Sequence, residues 1–221
     1  MLRSRLASLA CSASRCSHRR VSTLRVVEST GPRSLALPLC FVSVRGWDAS
    51  DSAGWHDWIE RFSSKGYSSL VLDLDPQAAT AQAKTSKSVL SALEQELVSL
   101  LRDPATSSPF PPLVFASSTA SILAETYVSS HPLSGLVLDQ PVPAPLARTR
   151  IPRAFPTDVD EFDYEPFFPV AVISRDGQDS LHRLVTDFGG PDEDSLVRTI
   201  VAERDEHGWQ QIMEWMDEHG L

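Results

Sequence analysis

A serine that follows an apolar strand and opens a small-residue helix has the best setting for chemistry in this sequence. The segment runs from Leu113 to Ala124, and Ser118 lies at its predicted corner, with Ala116 and Ala120 two positions to either side. A strand-to-helix turn this tight lifts a serine hydroxyl clear of the sheet, and its crowded backbone demands small residues at those two positions. The pattern predicts a nucleophilic Ser118; the alternative is that Ser117 or Ser118 only caps the helix.

The elements that must position this serine alternate along the chain. Apolar runs predict strands at residues 35–44, 69–74, 113–117, 133–138, 170–173 and 196–202, with 24–27 as a further candidate. Helical periodicity predicts helices at 55–65, 88–102, from the serine corner to about 130, at 180–188 and at 208–219, whereas residues 76–87 are predicted to form a loop. This alternation predicts an α/β fold, in which a mostly parallel central sheet is flanked by helices on both faces.

Basic residues are concentrated at the start of the chain, although the net charge of the whole is -9. Residues 1–25 contain six arginines and no acid. An Arg-rich, Ser-rich, acid-free N-terminus is typical of a mitochondrial transit peptide. We therefore expect residues 1–28 to be a transit peptide or disordered tail, residues 29–221 to form one domain, and the mitochondrial matrix to be the location. The acidic remainder disfavours nucleic acid as a partner.

Composition and motifs predict neither a transmembrane segment nor a cofactor. No apolar run approaches the roughly 20 residues that a membrane-spanning helix needs. Two of the three cysteines, Cys11 and Cys16, lie in the expected transit segment, and Cys40 lies in an apolar strand. One remaining cysteine allows no internal disulfide and no thiolate metal site, and no Gly-rich phosphate loop is present.

The order of the predicted elements resembles that of the α/β-hydrolase family over residues 35–221. The stretch from Phe41 to Trp47 resembles the strand and His-Gly-x loop that precede the family's first helix, and Gly66-Tyr67 and Leu72-Asp73 resemble the turn and strand that follow. The serine corner, a strand, an insertion, an acid-bearing turn and a histidine then come in the family's order. The resemblance implies a serine hydrolase that cleaves an ester or thioester of a small-molecule acyl substrate through an acyl-enzyme.

The resemblance also assigns catalytic roles. Ser118 would be the nucleophile, and His207, which opens the final helix, would be the base that takes its proton. The carboxylate that orients the base would be Asp179 or Asp176, which share one predicted turn, and Asp139 at the end of an earlier strand is a third candidate. Asp179 alternatively serves as a helix N-cap, and His207 alternatively is a solvated loop histidine.

Two backbone N–H groups would form the oxyanion hole by the same resemblance. They belong to Thr119, the residue after the nucleophile, and to Trp47, in the loop after the first strand. Where the family usually has His-Gly the chain has Arg45-Gly46, and alanine replaces the usual glycine on both sides of Ser118. These departures support a second hypothesis, a catalytically degenerate protein that keeps the fold for binding or assembly in mitochondria.

Residues 140–168 interrupt the alternation and are predicted to form a lid or insertion rather than a second domain. Within them, residues 158–168 combine five acids with four aromatic residues. As a cover, this stretch would pack its aromatic rings over the site and turn its acids to water, and an acidic entrance favours neutral esters over anionic ones. The alternative is a solvated surface loop.

Overall fold

The computed structural model describes residues 22–47, 52–104, 106, 108–175, 182–190 and 195–221. In these residues seven strands form one sheet, in the spatial order β1-β3-β2-β4-β5-β6-β7. The strands are β1 (Thr23–Val27), β2 (Leu39–Val44), β3 (Ser69–Leu74), β4 (Leu113–Ser117), β5 (Gly135–Asp139), β6 (Val170–Ser174) and β7 (Val197–Val201). The helices are α1 (His56–Lys65), α2 (Gln77–Gln82), α3 (Ser86–Leu101), α4 (Ala120–Val128), α5 (Ala147–Arg150), α6 (Arg183–Phe188) and α7 (Glu206–Glu218). Single 3-10 turns precede α1 and α5, at Ser52–Trp55 and Ala144–Leu146.

The sheet is buried on both faces, which is why its central strands are unbroken apolar runs in the sequence. Every residue of β2, β4, β5 and β6 is buried. On one face α3 and α4 contribute the aliphatic side chains of Leu93 and Leu123, and on the other α1 and α7 contribute the aromatic side chains of Phe62 and Trp215. β1 runs antiparallel to β3 and the remaining pairs are parallel. The predicted fold class is confirmed.

Two predicted segments differ from the structure by four residues or more. Residues 77–82, predicted as part of a loop, form the short helix α2, because an alanine-rich segment has high helix propensity even without an apolar stripe. The strand predicted at 35–44 begins only at Leu39, directly after Pro38. Proline has no N–H to donate to a neighbouring strand, so it commonly stands at the start of a strand.

The folded part of the chain begins before residue 29. β1 pairs with β3 in the register Thr23↔Asp73 to Val27↔Ser69, and the hydroxyl of Ser22 accepts a hydrogen bond of 2.7 Å from the N–H of Asp75. This strand lies inside the segment 1–28 that was predicted to be a transit peptide or tail. Because β1 is a half-exposed edge strand, its five residues give only a weak apolar signal in the sequence.

The carboxyl ends of the parallel strands meet at one edge of the sheet. Ser117 and Asp139 are direct neighbours there, at the ends of β4 and β5. The connections that leave β2, β6 and β7 start at the same edge. Open α/β sheets bind their ligands outside this edge, so the candidate site lies where the sequence placed its serine.

Candidate active site

Ser118 forms a strained corner between β4 and α4. Its φ is +47°, in the left-handed region that a residue with a Cβ enters at a cost of about 1–2 kcal/mol. Its N–H donates to the carbonyl of Asp139 at 2.8 Å, and its own carbonyl accepts from the hydroxyl of Ser121 at 2.6 Å. These bonds fix the corner from both sides. The Ser118 side chain is half-buried, whereas Ser117 and Thr119 are buried.

The same edge carries a second strained residue. Gln140, directly after β5, has a φ of +48°, and within the described part of the chain Ser118 and Gln140 are the two non-glycine residues with positive φ. Such strain clusters at functional sites, because packing elsewhere in the fold must maintain it. Thr119 occupies the N-cap position of α4. Capping by Ser117 or Ser118 therefore does not account for either serine.

A buried ion pair lies beside Ser118. The Asp139 side chain is only 2% exposed, and its Oδ2 accepts a hydrogen bond from Nε of Arg204. The guanidinium carbon of Arg204 lies 4.0 Å from the centroid of the Trp55 ring, which is a close cation–π contact. Arg204 follows β7, so its side chain extends past the end of β6 to reach β5. The sequence analysis missed Arg204, because nothing in a lone arginine between two acids signals a buried partner.

His207 lies in the first turn of α7 and is exposed. The helix begins at the N-cap Asp205, whose side chain accepts from the N–H of Gly208 at 2.9 Å and whose carbonyl accepts from Nε1 of Trp58 at 3.0 Å. Among the hydrogen bonds and ion pairs of the described residues, none joins His207 to Ser118.

The helical position of His207 explains its exposure. Residues four, seven and eleven positions later share its face of α7, and these residues (Gln211, Glu214 and Glu218) line a hollow along the edge strand β7. That face is directed along the sheet edge at β7, whereas Ser118 follows β4, three strands away. The assignment of His207 as the base stays a prediction, and it requires the first turn of α7 to rearrange.

The two preferred acid candidates, Asp176 and Asp179, lie outside the described residues. Their roles therefore stay predictions. The third candidate, Asp139, is at the corner itself, but its carboxylate is bound by Arg204. Of the acids and bases named from the sequence, the structure thus brings only Asp139 next to Ser118 within the part of the chain that it describes.

The predicted oxyanion donors differ in their surroundings. Thr119 is 2% exposed and follows Ser118 at the start of α4, and its role as a donor stays a prediction. The N–H of Trp47 donates to the carbonyl of Val44 at 3.1 Å, so it is already used in a turn. The Trp47 ring packs against Phe155 with a centroid separation of 4.9 Å. Trp47 would serve as a donor only after the turn at residues 44–47 opened.

Arg45 has a structural partner that explains its presence in place of the family's histidine. Its Nε and Nη2 donate to Oδ2 of Asp73 at 3.2 and 2.8 Å, and its Nη1 lies 3.5 Å from Oδ2 of Asp75. Asp73 is in β3 and Asp75 directly follows it. Arg45 therefore joins the carboxyl ends of β2 and β3 by a charge-assisted fork.

The insertion at 140–168 packs against α3 and α4. The N–H of Ser86 donates to the hydroxyl of Thr157 at 2.9 Å, and Phe162 is buried. A cavity of about 330 Å³ lies between this segment and the two helices, and the charged residues that line it are Lys87, Glu94, Glu125, Asp160, Glu161 and Asp163. Ser118 is not among the residues that line it. That the insertion covers Ser118 stays a prediction.

A buried His–Glu pair ties the segment before α6 to the middle of α4. Nε2 of His182 lies 2.8 Å from Oε1 of Glu125, and both side chains are 3% exposed. Burial raises the pKa of Glu125, the hydrogen bond and charge of His182 oppose that shift, and nearby Glu161 adds to it. The sequence analysis missed this pair, since its members lie far apart in the chain.

The described ranges contain neither a helix suited to span a membrane nor a cluster suited to hold a metal ion. No helix there is both long and apolar enough to cross a membrane. No cluster of three or more His, Cys, Asp or Glu side chains there is arranged to hold a metal ion. Cys40 is a fully buried core residue, as predicted, and burial raises the pKa of its thiol.

The architecture is shared with solved hydrolase structures. No protein-family model matches the sequence, and no curated protein matches it either. Esterase 2 of Thermogutta terrifontis with bound propionate is 13% identical, with a TM-score of 0.53 and 90% of both chains covered. MGS-MChE2, an α/β-hydrolase enzyme from the metagenome of Mar Chica lagoon sediments, is 13% identical, with a TM-score of 0.59 over 90% of this chain and 96% of that one.

A soluble variant of monoglyceride lipase from Saccharomyces cerevisiae gives a similar result. It is 11% identical, with a TM-score of 0.59 over 90% of this chain and 92% of that one. At such identities the likeness is one of fold, and a shared fold does not fix the chemistry of a site. The seven-stranded sheet, its flanking helices and the serine corner after β4 together identify the chain as a protein with the α/β-hydrolase fold.

Proposed function

We propose that the protein is a serine hydrolase that cleaves an ester or thioester through an acyl-enzyme on Ser118. The strained backbone of Ser118, with its φ of +47° at the carboxyl end of β4, carries the proposal. A serine without a catalytic role gains no packing from this strained backbone conformation. A serine nucleophile gains a hydroxyl that is accessible and fixed in direction. The esterases and the lipase that share the fold support the same class of activity.

The reaction proceeds in two steps. Oγ of Ser118 attacks the acyl carbonyl carbon while a base accepts the hydroxyl proton, and the alcohol or thiol leaves with a proton. Water then attacks the acyl-enzyme and releases the carboxylic acid, which restores the Ser118 hydroxyl. The N–H of Thr119 would stabilise the negative charge that develops on the carbonyl oxygen.

His207 is our candidate for the base, with Asp179 or Asp176 as its orienting acid. A base must come within about 3 Å of the proton that it removes, although such contacts are often long in an enzyme without substrate. His207 would meet this requirement if the first turn of α7 rearranged toward β4. Under this proposal, the position of the first turn of α7 decides whether the site is active or inactive.

A second candidate function is binding or assembly without catalysis, and the Arg204–Asp139 pair favours it. The segment after β7, which supplies the histidine in the family, here places an arginine on the carboxylate next to Ser118. An arginine side chain stays protonated at all physiological pH values, so it cannot accept the serine proton. With Arg204 in this position, the protein would keep the strained turn at Ser118 but would have no general base beside it.

Labelling with a fluorophosphonate probe tests the proposal. We expect the probe to label wild-type protein on Ser118, Ser118→Ala to abolish both labelling and ester hydrolysis, and Ser117→Ala to keep both. His207→Ala should lower the labelling rate by about 10²–10⁴-fold, the usual contribution of a general base. Comparison of Asp176→Asn with Asp179→Asn identifies the acid.

Each variant needs a folding control, such as an unchanged far-UV circular dichroism spectrum and a cooperative thermal transition. If folded wild-type protein is not labelled at all, the hydrolase proposal is wrong and the binding function is favoured. Labelling that persists in Ser118→Ala would place the nucleophile elsewhere.

A further inference from the structure

Arg204 is fixed in position by contacts that leave most of its hydrogen-bond donors unused. Asp139 accepts from Nε, and the Trp55 ring lies against the guanidinium plane at 4.0 Å. A guanidinium carries five N–H donors, of which four are on Nη1 and Nη2. Within the described residues these four make no hydrogen bond or ion pair, yet the side chain is only 12% exposed. A cationic donor pair that is held in place by Asp139 and Trp55 is suited to an anionic acceptor.

Arg204 differs in this respect from the other arginines at the same edge. Arg45 directs all three of its nitrogens toward Asp73 and Asp75. Arg175, directly after β6, pairs with Glu203, and its side chain is 48% exposed, so water can solvate its remaining donors. Arg204 alone combines burial, a fixed orientation and a vacant donor pair among these three. Because Asp139 and Trp55 already hold it, little side-chain entropy is lost when a ligand binds.

The place of Arg204 connects it to the nucleophile. The carboxylate of Asp139 holds Arg204, and the backbone carbonyl of the same residue accepts the hydrogen bond from the N–H of Ser118 at 2.8 Å. Adjacent strands lie about 4.8 Å apart, so Ser118, after β4, lies one strand away from the carboxylate that holds Arg204. A planar donor pair matches the two oxygens of a carboxylate better than a single charge does.

We propose that Nη1 and Nη2 of Arg204 bind the free carboxylate of a short dicarboxylic acid whose other end is esterified or thioesterified. The proposal rests on the proposed function of Ser118 for its catalytic half. In it, the carboxylate of the acyl chain is anchored at Arg204 and the carbonyl carbon is presented to Oγ of Ser118. Arg204 is then a specificity-determining residue, and His207 remains the candidate base.

This substrate class replaces the preference for neutral esters that the acidic stretch at 158–168 suggested. That preference depends on the acids surrounding the entrance to the serine. In the structure, Asp160, Glu161 and Asp163 instead line the cavity against α3 and α4, which does not include Ser118. The carboxylate of Asp139, whose backbone carbonyl binds the N–H of Ser118, instead contacts the cation of Arg204.

Paired substrates whose acyl groups differ by one terminal carboxylate test the specificity. We expect wild-type protein to hydrolyse p-nitrophenyl hydrogen glutarate with a higher kcat/KM than p-nitrophenyl butyrate. Arg204→Lys keeps the charge for Asp139 but removes the planar donor pair, and it should lower the glutarate-to-butyrate ratio of kcat/KM by about tenfold or more. Arg175→Gln is the matched control at the same sheet edge and should leave the ratio unchanged. An unchanged ratio in Arg204→Lys, or a wild-type preference for butyrate, overturns the proposal.

A binding measurement separates this inference from the proposed catalysis. Free glutarate should raise the Tm of Ser118→Ala and should not raise that of Ser118→Ala/Arg204→Lys, with butyrate inactive on both. If glutarate binds in this way but no ester is cleaved, the carboxylate site stands and the hydrolase function fails. If butyrate esters are cleaved and glutarate does not bind, the hydrolase function stands and the carboxylate site fails. Thermal transitions of both variants without ligand verify that each is folded.

Discussion

Ser118 and Ser117 are adjacent in sequence but have opposite backbone requirements. Ser118 has a φ of +47°, whereas Ser117 is the last residue of β4 and pairs with Asp139. Glycine enters the left-handed region without the Cβ penalty, but in a strand it costs conformational entropy. Glycine in place of alanine should therefore raise the free energy of unfolding at position 118 and lower it at position 117.

This contrast predicts the stability of four variants. Ser118→Gly should be more stable than Ser118→Ala by about 1 kcal/mol, because glycine relieves the strain at the corner. Ser117→Gly should be less stable than Ser117→Ala by about 0.5–1 kcal/mol, as is usual inside a strand. Urea unfolding of the four proteins measures both differences. Equal signs at the two positions would show that the corner is not at Ser118.

At the scale of elements, α4 links the serine corner to the segment before α6. The helix begins two residues after Ser118, and its Glu125 is held by His182 in a fully buried pair. Burial of a carboxyl group disfavours its charged form, which is the main reason that the pKa of Glu125 is raised above its ordinary value of 4.5. We therefore expect the stability that this carboxyl group contributes to depend on pH.

The sign of this dependence follows from proton binding. Above pH 4.5 the unfolded chain releases the Glu125 proton before the folded protein does, so stability falls as the pH rises toward the raised pKa and then levels off. Glu125→Gln cannot titrate. The Tm of wild-type protein minus that of Glu125→Gln should therefore decrease between pH 4.5 and 8 in thermal unfolding.

A matched control is the exposed His–Glu pair of α1. Nε2 of His56 lies 3.2 Å from Oε1 of Glu60, with side chains 60% and 68% exposed. Exposed pairs contribute little to stability, so the Tm difference between wild-type protein and Glu60→Gln should vary little with pH. A difference for Glu125→Gln that rises with pH, or that matches the Glu60 control, would contradict a buried carboxyl group with a raised pKa.

At the scale of the whole molecule, β1 sets a limit on the proposed removal of a transit peptide. The hydroxyl of Ser22 accepts a hydrogen bond from Asp75, directly after β3, and β1 pairs with β3 along its length. A cut that removed them would expose β3 as a new sheet edge, with unpaired backbone groups. Import into mitochondria is a proposal that follows from the acid-free, Arg-rich first 25 residues.

We therefore expect the mature N-terminus to lie at or before Ser22. N-terminal sequencing of the protein from isolated mitochondria measures it, and the cytosolic fraction of the same cells is the control. An intact Met1 in a cytosolic pool would contradict the transit peptide. A mature N-terminus beyond Val27 would contradict the role of β1 in the sheet.

The sequence by itself determined the fold class. The order of apolar residues distinguishes helices from strands, and continuous apolar runs in the strands indicate a sheet that is buried on both faces. The alternation of elements, the parallel sheet and the corner at Ser118 could all be predicted in this way. The weak elements were harder to predict: β1 is half-exposed and α2 has no apolar stripe, so neither has a strong pattern.

Only the tertiary structure decided which side chains meet at the corner. His207, the predicted base, is exposed in the first turn of α7, whereas Arg204, which precedes that helix, contacts the carboxylate of Asp139. Likewise the partners of Arg45, Trp47 and Glu125 follow from strand neighbours and helix packing. Periodicity fixes the face of an element that is buried, but contacts between distant segments depend on how the elements pack, which no local pattern encodes.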